Sequence, residues 1–202
     1  MKKLLLATTN KGKVRELSQF LSDLPLQLVS LSDVGIKDEP EENGKTYTEN
    51  SQIKALYYSK KSELPAIADD GGIEIMALGG EPGIHSHRWL GPETTEEDLV
   101  EHMKKVAKRL PDDNRGARFA TAVSVAFPEG RVFSFIGEVN GIIPPEPSLN
   151  YEAGYPYRSF FFVPELNKFY FENELTSEEL EKYNHRYKAV QEVKKLLKKE
   201  LL

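Results

Sequence analysis

Ile67-Ala68-Asp69-Asp70-Gly71-Gly72 is the stretch on which the reading of this chain turns. The apolar run at 65–68 predicts a short strand. It ends on two adjacent carboxylates and two glycines, which predict a turn at the end of a sheet strand. Neighbouring carboxylates repel unless a cation or a shared proton relieves them. A hard divalent ion such as Mg2+ prefers such oxygens and usually arrives with a phosphate substrate. A solvated acidic turn is the plain alternative, so the flanking segments have to choose between the two.

Upstream, residues 4–8 read as a strand buried on both faces. Asn10-Lys11-Gly12-Lys13 then leads into a helix whose Val14, Leu17, Phe20 and Leu21 share one face. Residues 26–31 predict a second strand, and 38–45 an acidic loop. Thr46 caps a helix reaching about Ser62, with Glu49 placed to close a capping box. Downstream of the glycines, 73–78 reads as a separate strand. Thr94 or Thr95 opens an amphipathic helix ending near Leu110. Residues 119–127 and 132–143 alternate like paired strands about Pro128-Glu129-Gly130. Short strands at 160–163 and 169–171, a helix opened by Thr176, and a last helix from about Tyr187 complete the order. Strand–helix alternation together with a hairpin predicts an α/β fold, a mixed sheet flanked by helices. In open α/β sheets ligands gather beyond the carboxyl ends of the strands. The segments 8–13 and 69–72 are both expected there.

The 202 residues suit one domain, spanning 1–202, with room for two lobes. Hydrophobic content of 39% is enough for a core. A net charge of −5 leaves no basic excess for a nucleic-acid surface, although a local cationic pocket for one small anion remains open. The absence of cysteine removes disulfides, thiolate nucleophiles and Cys-ligated metals. The apolar run at 4–6 is too short for a signal peptide, and nothing approaches a membrane span. These features read as a cytoplasmic protein with no nucleic-acid or membrane partner.

Several clusters carry possible chemistry. Thr8, Asn10 and Lys13 lie between a strand and a helix N-terminus, where backbone amides and the helix dipole favour an anion. The spacing is not that of a P-loop, and an ordinary capped helix is the alternative. Glu41, Glu42, Glu49, Asp69 and Asp70 form an acidic set, and Lys54 falls five residues after Glu49, outside ideal ion-pair spacing. His85 and His87, two apart, would share one face of a strand, but no third ligand at zinc spacing follows. Ser86 lacks a nucleophile elbow. Asn184-His185-Arg186, expected just before the last helix, reads either as a cap or as a reader of carbonyl and phosphate oxygens.

In register, these segments resemble the inosine/xanthosine triphosphate pyrophosphatases. Thr8-Thr9-Asn10-Lys11-Gly12-Lys13 is similar to that family's T-x-N-x-x-K, and 46–55 to T-F-x-E-N-A-x-x-K-A. Residues 68–72 are similar to A-D-D-S-G, 78–89 to L-G-G-x-P-G-x-x-S-A-R-[FY], and 184–189 to S-H-R-x-K-A. The resemblance implies an elongated mixed α/β fold of two lobes with a central cleft, usually a homodimer. It also implies Mg2+-dependent cleavage of ITP, dITP and XTP between the α- and β-phosphates. Carried over by position, Thr8, Asn10, Lys13 and Lys54 hold the triphosphate, while Glu42 and Asp70 hold Mg2+. Asp70 or Asp69 positions or deprotonates the attacking water. Gly71, Ser86, Arg88, Tyr155 and Lys182 line the substrate. His185 and Arg186 read the O6 side of the purine, where a 6-oxo group accepts and the adenine amino group does not.

The chain departs from the family's G-F-G-Y-D-P. Residues 152–160 read Glu-Ala-Gly-Tyr-Pro-Tyr-Arg-Ser-Phe, without the aspartate, with Ala153 in place of the stacking phenylalanine and about two residues inserted. Tyr151, Tyr155 or Tyr157 is left to supply a stacking face. Leu180 takes the place of the family lysine, with Lys182 nearer to His185, and Gly71 replaces a serine. A pyrophosphatase with altered or broadened base preference is therefore one expectation. A triphosphate sensor that has lost catalysis, a general phosphatase or nuclease, and a protein-interaction module are the others.

Overall fold

The computed structural model describes residues 1–202, the side chain of Glu172 apart. Lys2–Leu6 (β1), Lys11–Phe20 (α1), Leu26–Ser30 (β2), Tyr47–Ser62 (α2) and Ala66–Ile75 (β3) open the chain. Strand β1 is parallel to both β2 and β3. Parallel neighbours need long crossovers, which α1 and α2 provide. Glu96–Arg109 (α3), Gly116–Ala126 (β4), Val132–Ile142 (β5), Phe162–Val163 (β6), Lys168–Phe169 (β7), Ser177–Tyr183 (α4) and His185–Leu201 (α5) follow. The sheet is mixed and seven-stranded, in the order β2-β1-β3-β4-β5-β6-β7, with antiparallel steps from β5 to β6 and from β6 to β7. The α/β class is as the sequence predicts. Thr46, Thr95 and Thr176 each accept from the amide three residues on, and Glu49, Asp98 and Glu179 return the bond. Short-range chemistry therefore sets these three helix starts.

The chain forms two compact units. The first comprises 1–70, 121–137 and 186–202, and the second comprises 71–120 and 138–185. Leu5, Val29, Ala55, Tyr58, Ala66 and Ala68 belong to the core of the first. Ile73, Leu99, Met103, Phe119, Phe161 and Tyr170 belong to that of the second. Among the described residues no helix is long and apolar enough to cross a membrane.

Four local expectations are corrected. No turn interrupts 69–72, because β3 runs unbroken from Ala66 to Ile75 and neither Gly71 nor Gly72 has a positive φ. Gly72 is glycine for space: a Cβ there would sit 2.1 Å from Ser86 Oγ and 2.4 Å from the Gly83 carbonyl oxygen. Residues 76–78 are a 3-10 turn rather than strand. His185 and Arg186 lie in the first turn of α5 rather than before it. The segment 83–88 is likewise a 3-10 helix, so His85 and His87 do not share a strand face.

Candidate active site

Successive strand side chains point to opposite faces, so adjacency in sequence separates the two aspartates in space. Asp69 Oδ2 accepts from Arg186 Nε at 2.9 Å and lies 3.2 Å from Lys13 Nζ. Asp70 Oδ2 accepts from Asn50 Nδ2 at 3.1 Å, and its Oδ1 lies 3.5 Å from Lys54 Nζ. The same ammonium is 3.1 Å from Glu42 Oε2. Arg186 Nη1 also donates to Glu16, and both side chains are almost fully buried. All these groups belong to the first unit.

The electrostatics give the two carboxylates different characters. Burial pushes the Asp69 carboxyl up, but Lys13, Arg186 and Lys54 together outweigh it and hold the group well below the usual carboxylate range. Asp69 is thus a fixed anion and a weak base. Its Oδ1 is buried without a hydrogen-bond partner. Burial lowers the Lys13 ammonium against the pull of Asp69. Burial also acts to lower Lys54, but Asp70 and Glu42 dominate and raise it. Lys54 therefore stays charged where two carboxylates converge.

Four residues separate β1 from α1. Asn10 caps it, its Oδ1 accepting from Lys13 N at 3.0 Å, while Thr8 Oγ1 accepts from Asn10 N at 3.2 Å. Of the three candidate glutamates, Glu49, in the first turn of α2, is committed to the amides of Lys45 and Thr46, Glu41 is exposed, and Glu42 faces Lys54.

In the second unit the His185 ring stacks on Phe119, with centroids 5.4 Å apart and planes at 19°, and its Nδ1 is 2.8 Å from the Tyr170 hydroxyl. The Arg158 guanidinium lies 3.6 Å from the Tyr155 ring centroid and 5.4 Å from that of Tyr170, and pairs with Glu152 at 2.9 Å. Arg158 is only 2% exposed, so this cation and its partner are built into the segment that departs from the expected motif. The Ser86 hydroxyl donates to the Gly83 carbonyl at 2.6 Å and accepts from Ile73 N at 3.0 Å, and Tyr157 donates to the Ser86 carbonyl at 2.6 Å. Those contacts make Ser86 a brace for β3. Gly71 is half-buried, Arg88 is exposed, and Lys182 is exposed with Nζ 5.3 Å from the Tyr183 ring.

The structure therefore brings these charges into two clusters, Lys13 and Arg186 on Asp69 and Lys54 between Glu42 and Asp70, with the charge of Lys54 also acting on Asp69. The guanidinium expected to read a base holds Asp69 and Glu16 on two of its nitrogens. Sequence reading passed over Glu16, Asn50, Arg158 and Tyr170. Glu16 had a signal, an acid beside Leu17 on the buried helical stripe. Asn50 stood inside the quoted helix motif. Tyr170 and Arg158 had no local signal, because their partners are set by tertiary packing.

The Ham1 family model matches residues 4–196. A dITP/XTP pyrophosphatase of Thermus thermophilus is 41% identical over 188 residues, covering 93% of this chain and 88% of that protein. The protein of the same description from Escherichia coli is 40% identical over 192 residues, 94% of this chain and 95% of that one. Among solved structures, the Coxiella burnetii HAM1 protein superposes with a TM-score of 0.82 at 28% identity, covering 98% of this chain and all of that one. The Staphylococcus aureus Ham1 protein gives 0.80 at 29% identity, with the same coverage.

Proposed function

This chain belongs to the Ham1 family, and on that premise we propose that it hydrolyses deaminated purine nucleoside triphosphates, dITP, ITP and XTP, to the monophosphate and pyrophosphate. The relatives described as dITP/XTP pyrophosphatases support the substrate class. The observation that carries the reading is the convergence of Asp70 and Glu42 on the Lys54 ammonium.

A triphosphate brings concentrated negative charge, and a departing pyrophosphate gathers more of it. Lys13 and Lys54 are the cations that meet this charge, and Thr8 and Asn10 stand at the N-terminus of α1, where the dipole favours an anion. Asp70 is the group that orients water for hydrolysis between the α- and β-phosphates. Asp69 is held as a fixed anion by Lys13 and Arg186, which suits an anchor better than a base. The buried Asp69 Oδ1 is left to accept from a water or ligand donor. His185 donates to the 6-oxo group of the base, and a site built around that donor disfavours adenine, whose amino group leaves it unpaired.

Glu42 and Asp70 would hold Mg2+. Their carboxylates already converge on one cationic group, and two carboxylates completed by phosphates and waters are an ordinary donor set for this ion. Among the described residues no cluster of three or more His, Cys, Asp or Glu is placed to hold a metal, which suits an ion delivered with its substrate. When bound, Mg2+ would neutralise phosphate charge. In this reading the protein is a cytoplasmic homodimer, two-fold dimers being the commonest closed assembly. A broadened base preference is the second reading. It is favoured by the pairing of buried Arg158 with half-buried Glu152 and by the Tyr155 face in the divergent segment.

The test is pyrophosphate release from ITP, dITP, XTP, GTP, dUTP and ATP with Mg2+, with EDTA, and with Asp70→Asn. Release from ITP or XTP that EDTA removes, and that falls about 100-fold or more in Asp70→Asn, is the expected result. Inorganic phosphate as the product, or release indifferent to Asp70, would overturn it. Triphosphate binding without turnover would favour a sensor.

A further inference from the structure

Tyr170 lies outside every motif discussed above, is 1% exposed, and touches the one histidine assigned to the base. Its hydroxyl meets at least three groups. The backbone N–H of His185 donates to it at 3.1 Å, the Tyr183 carbonyl lies at 3.5 Å, and His185 Nδ1 lies at 2.8 Å. The amide can only donate, so the phenol oxygen is an acceptor there. Of these groups, two can accept the single phenolic proton. The carbonyl at 3.5 Å is at the limit of a hydrogen bond, whereas the ring nitrogen at 2.8 Å is at ideal length. The opposite arrangement would give the phenol two incoming N–H donors and only the long carbonyl contact for its own proton.

We infer that Tyr170 is a positioning residue that donates to His185 Nδ1 and so fixes the neutral imidazole as the tautomer protonated at Nε2. The two imidazole nitrogens are coupled, and the bond made by one dictates whether the other donates or accepts. Phe119, stacked on the same imidazole, restrains the ring plane, and Phe161 packs against both Phe119 and Tyr170. Tautomer and orientation are therefore set by different neighbours, which makes the tautomer separable by mutation. With Nε2 as the donor, His185 presents an N–H to a 6-oxo purine. In the other tautomer the same atom would be an acceptor and would favour the amino group of adenine. Selection of the base thus rests on a hydroxyl fifteen residues upstream of the histidine.

The consequence for base selection rests on the function proposed above, whereas the tautomer does not. The test is nitrogen NMR of the imidazoles in the nucleotide-free full-length protein. His85, His87 and His102 are the only other histidines, so His185→Gln identifies the signal. The expected result is the Nε2–H form of His185 in the native protein and a mixture, or the Nδ1–H form, in Tyr170→Phe, with the other three imidazoles unmoved. Nδ1–H in the native protein, or an unchanged tautomer in Tyr170→Phe, would overturn the assignment. The kinetic arm compares kcat/KM for ITP and ATP, and Tyr170→Phe should lower that ratio about tenfold, the scale of one misdirected hydrogen bond. An unchanged ratio alongside a changed tautomer would refute the link to base selection. The Nε2–H tautomer in a protein that turns over no deaminated nucleotide would instead refute the proposed function and leave the role of Tyr170 standing.

Discussion

At the scale of single residues, Asp69 and Asp70 show how identical neighbours acquire different chemistry. The strand sends them to opposite faces, and the partners waiting there do the rest. Asp69 meets Lys13 and Arg186, and Asp70 meets Asn50 and Lys54. Removing one member of a buried pair leaves its partner uncompensated, and about 3 kcal/mol is the usual scale of that loss. Asp69→Asn should therefore destabilise the fold by about that amount in denaturant titration, while Asp70→Asn should lose activity with much less effect on stability. Equal stability losses from both variants would contradict this division. Gly72 is a second case. A methyl group there overlaps Ser86 Oγ and the Gly83 carbonyl, and Gly72→Ala should lower stability by about 1–3 kcal/mol, the range for overpacking. Its backbone is not in the left-handed region, so a thermal melt of this variant reports crowding rather than dihedral strain.

At the scale of elements, α2 ties local capping to the site. Thr46 and Glu49 close its N-terminus, and one turn in, Asn50 bonds Asp70 while Lys54 bridges Glu42 and Asp70. Thr46→Ala should lower stability by about 1 kcal/mol. Asn50→Ala should instead leave the helix intact and lower kcat, because it frees a carboxylate that must be held still. A circular-dichroism melt set beside steady-state kinetics separates the two. Much of this architecture was legible in the chain. The three Thr-x-x-acid boxes marked helix starts, and alternation marked β4 and β5. The paired glycines misled, because glycine also serves where another backbone or side chain approaches closely, and Gly72 does so. The start of α5 was misplaced at Tyr187 because polar His185 and Arg186 look like a cap until their tertiary partners are known.

At the scale of the whole molecule, the buried charges predict a response to acid. The folded-state pKa of Asp69 lies below its unfolded value, so its contribution is complete above the unfolded value and fades as pH falls toward the folded one. Stability should therefore drop below about pH 4, the ordinary carboxylate range. The slope should be shallower in Asp69→Asn, as acid titration followed by far-ultraviolet dichroism would register. By itself the sequence determined the α/β class, the order of the main helices and of the β4–β5 hairpin, the starts of α2, α3 and α4 and the ordered motifs that carry the family likeness, since these depend on periodicity and on chemistry within a few residues. Tertiary structure alone decided which carboxylate became the anchor, which loop glutamate joined Asp70, that Arg186 turns to Glu16, and that Tyr170 holds His185. Those outcomes depend on groups brought together from distant parts of the chain. Burial there makes each charge and hydrogen bond conditional on its partner, and local sequence does not record partners.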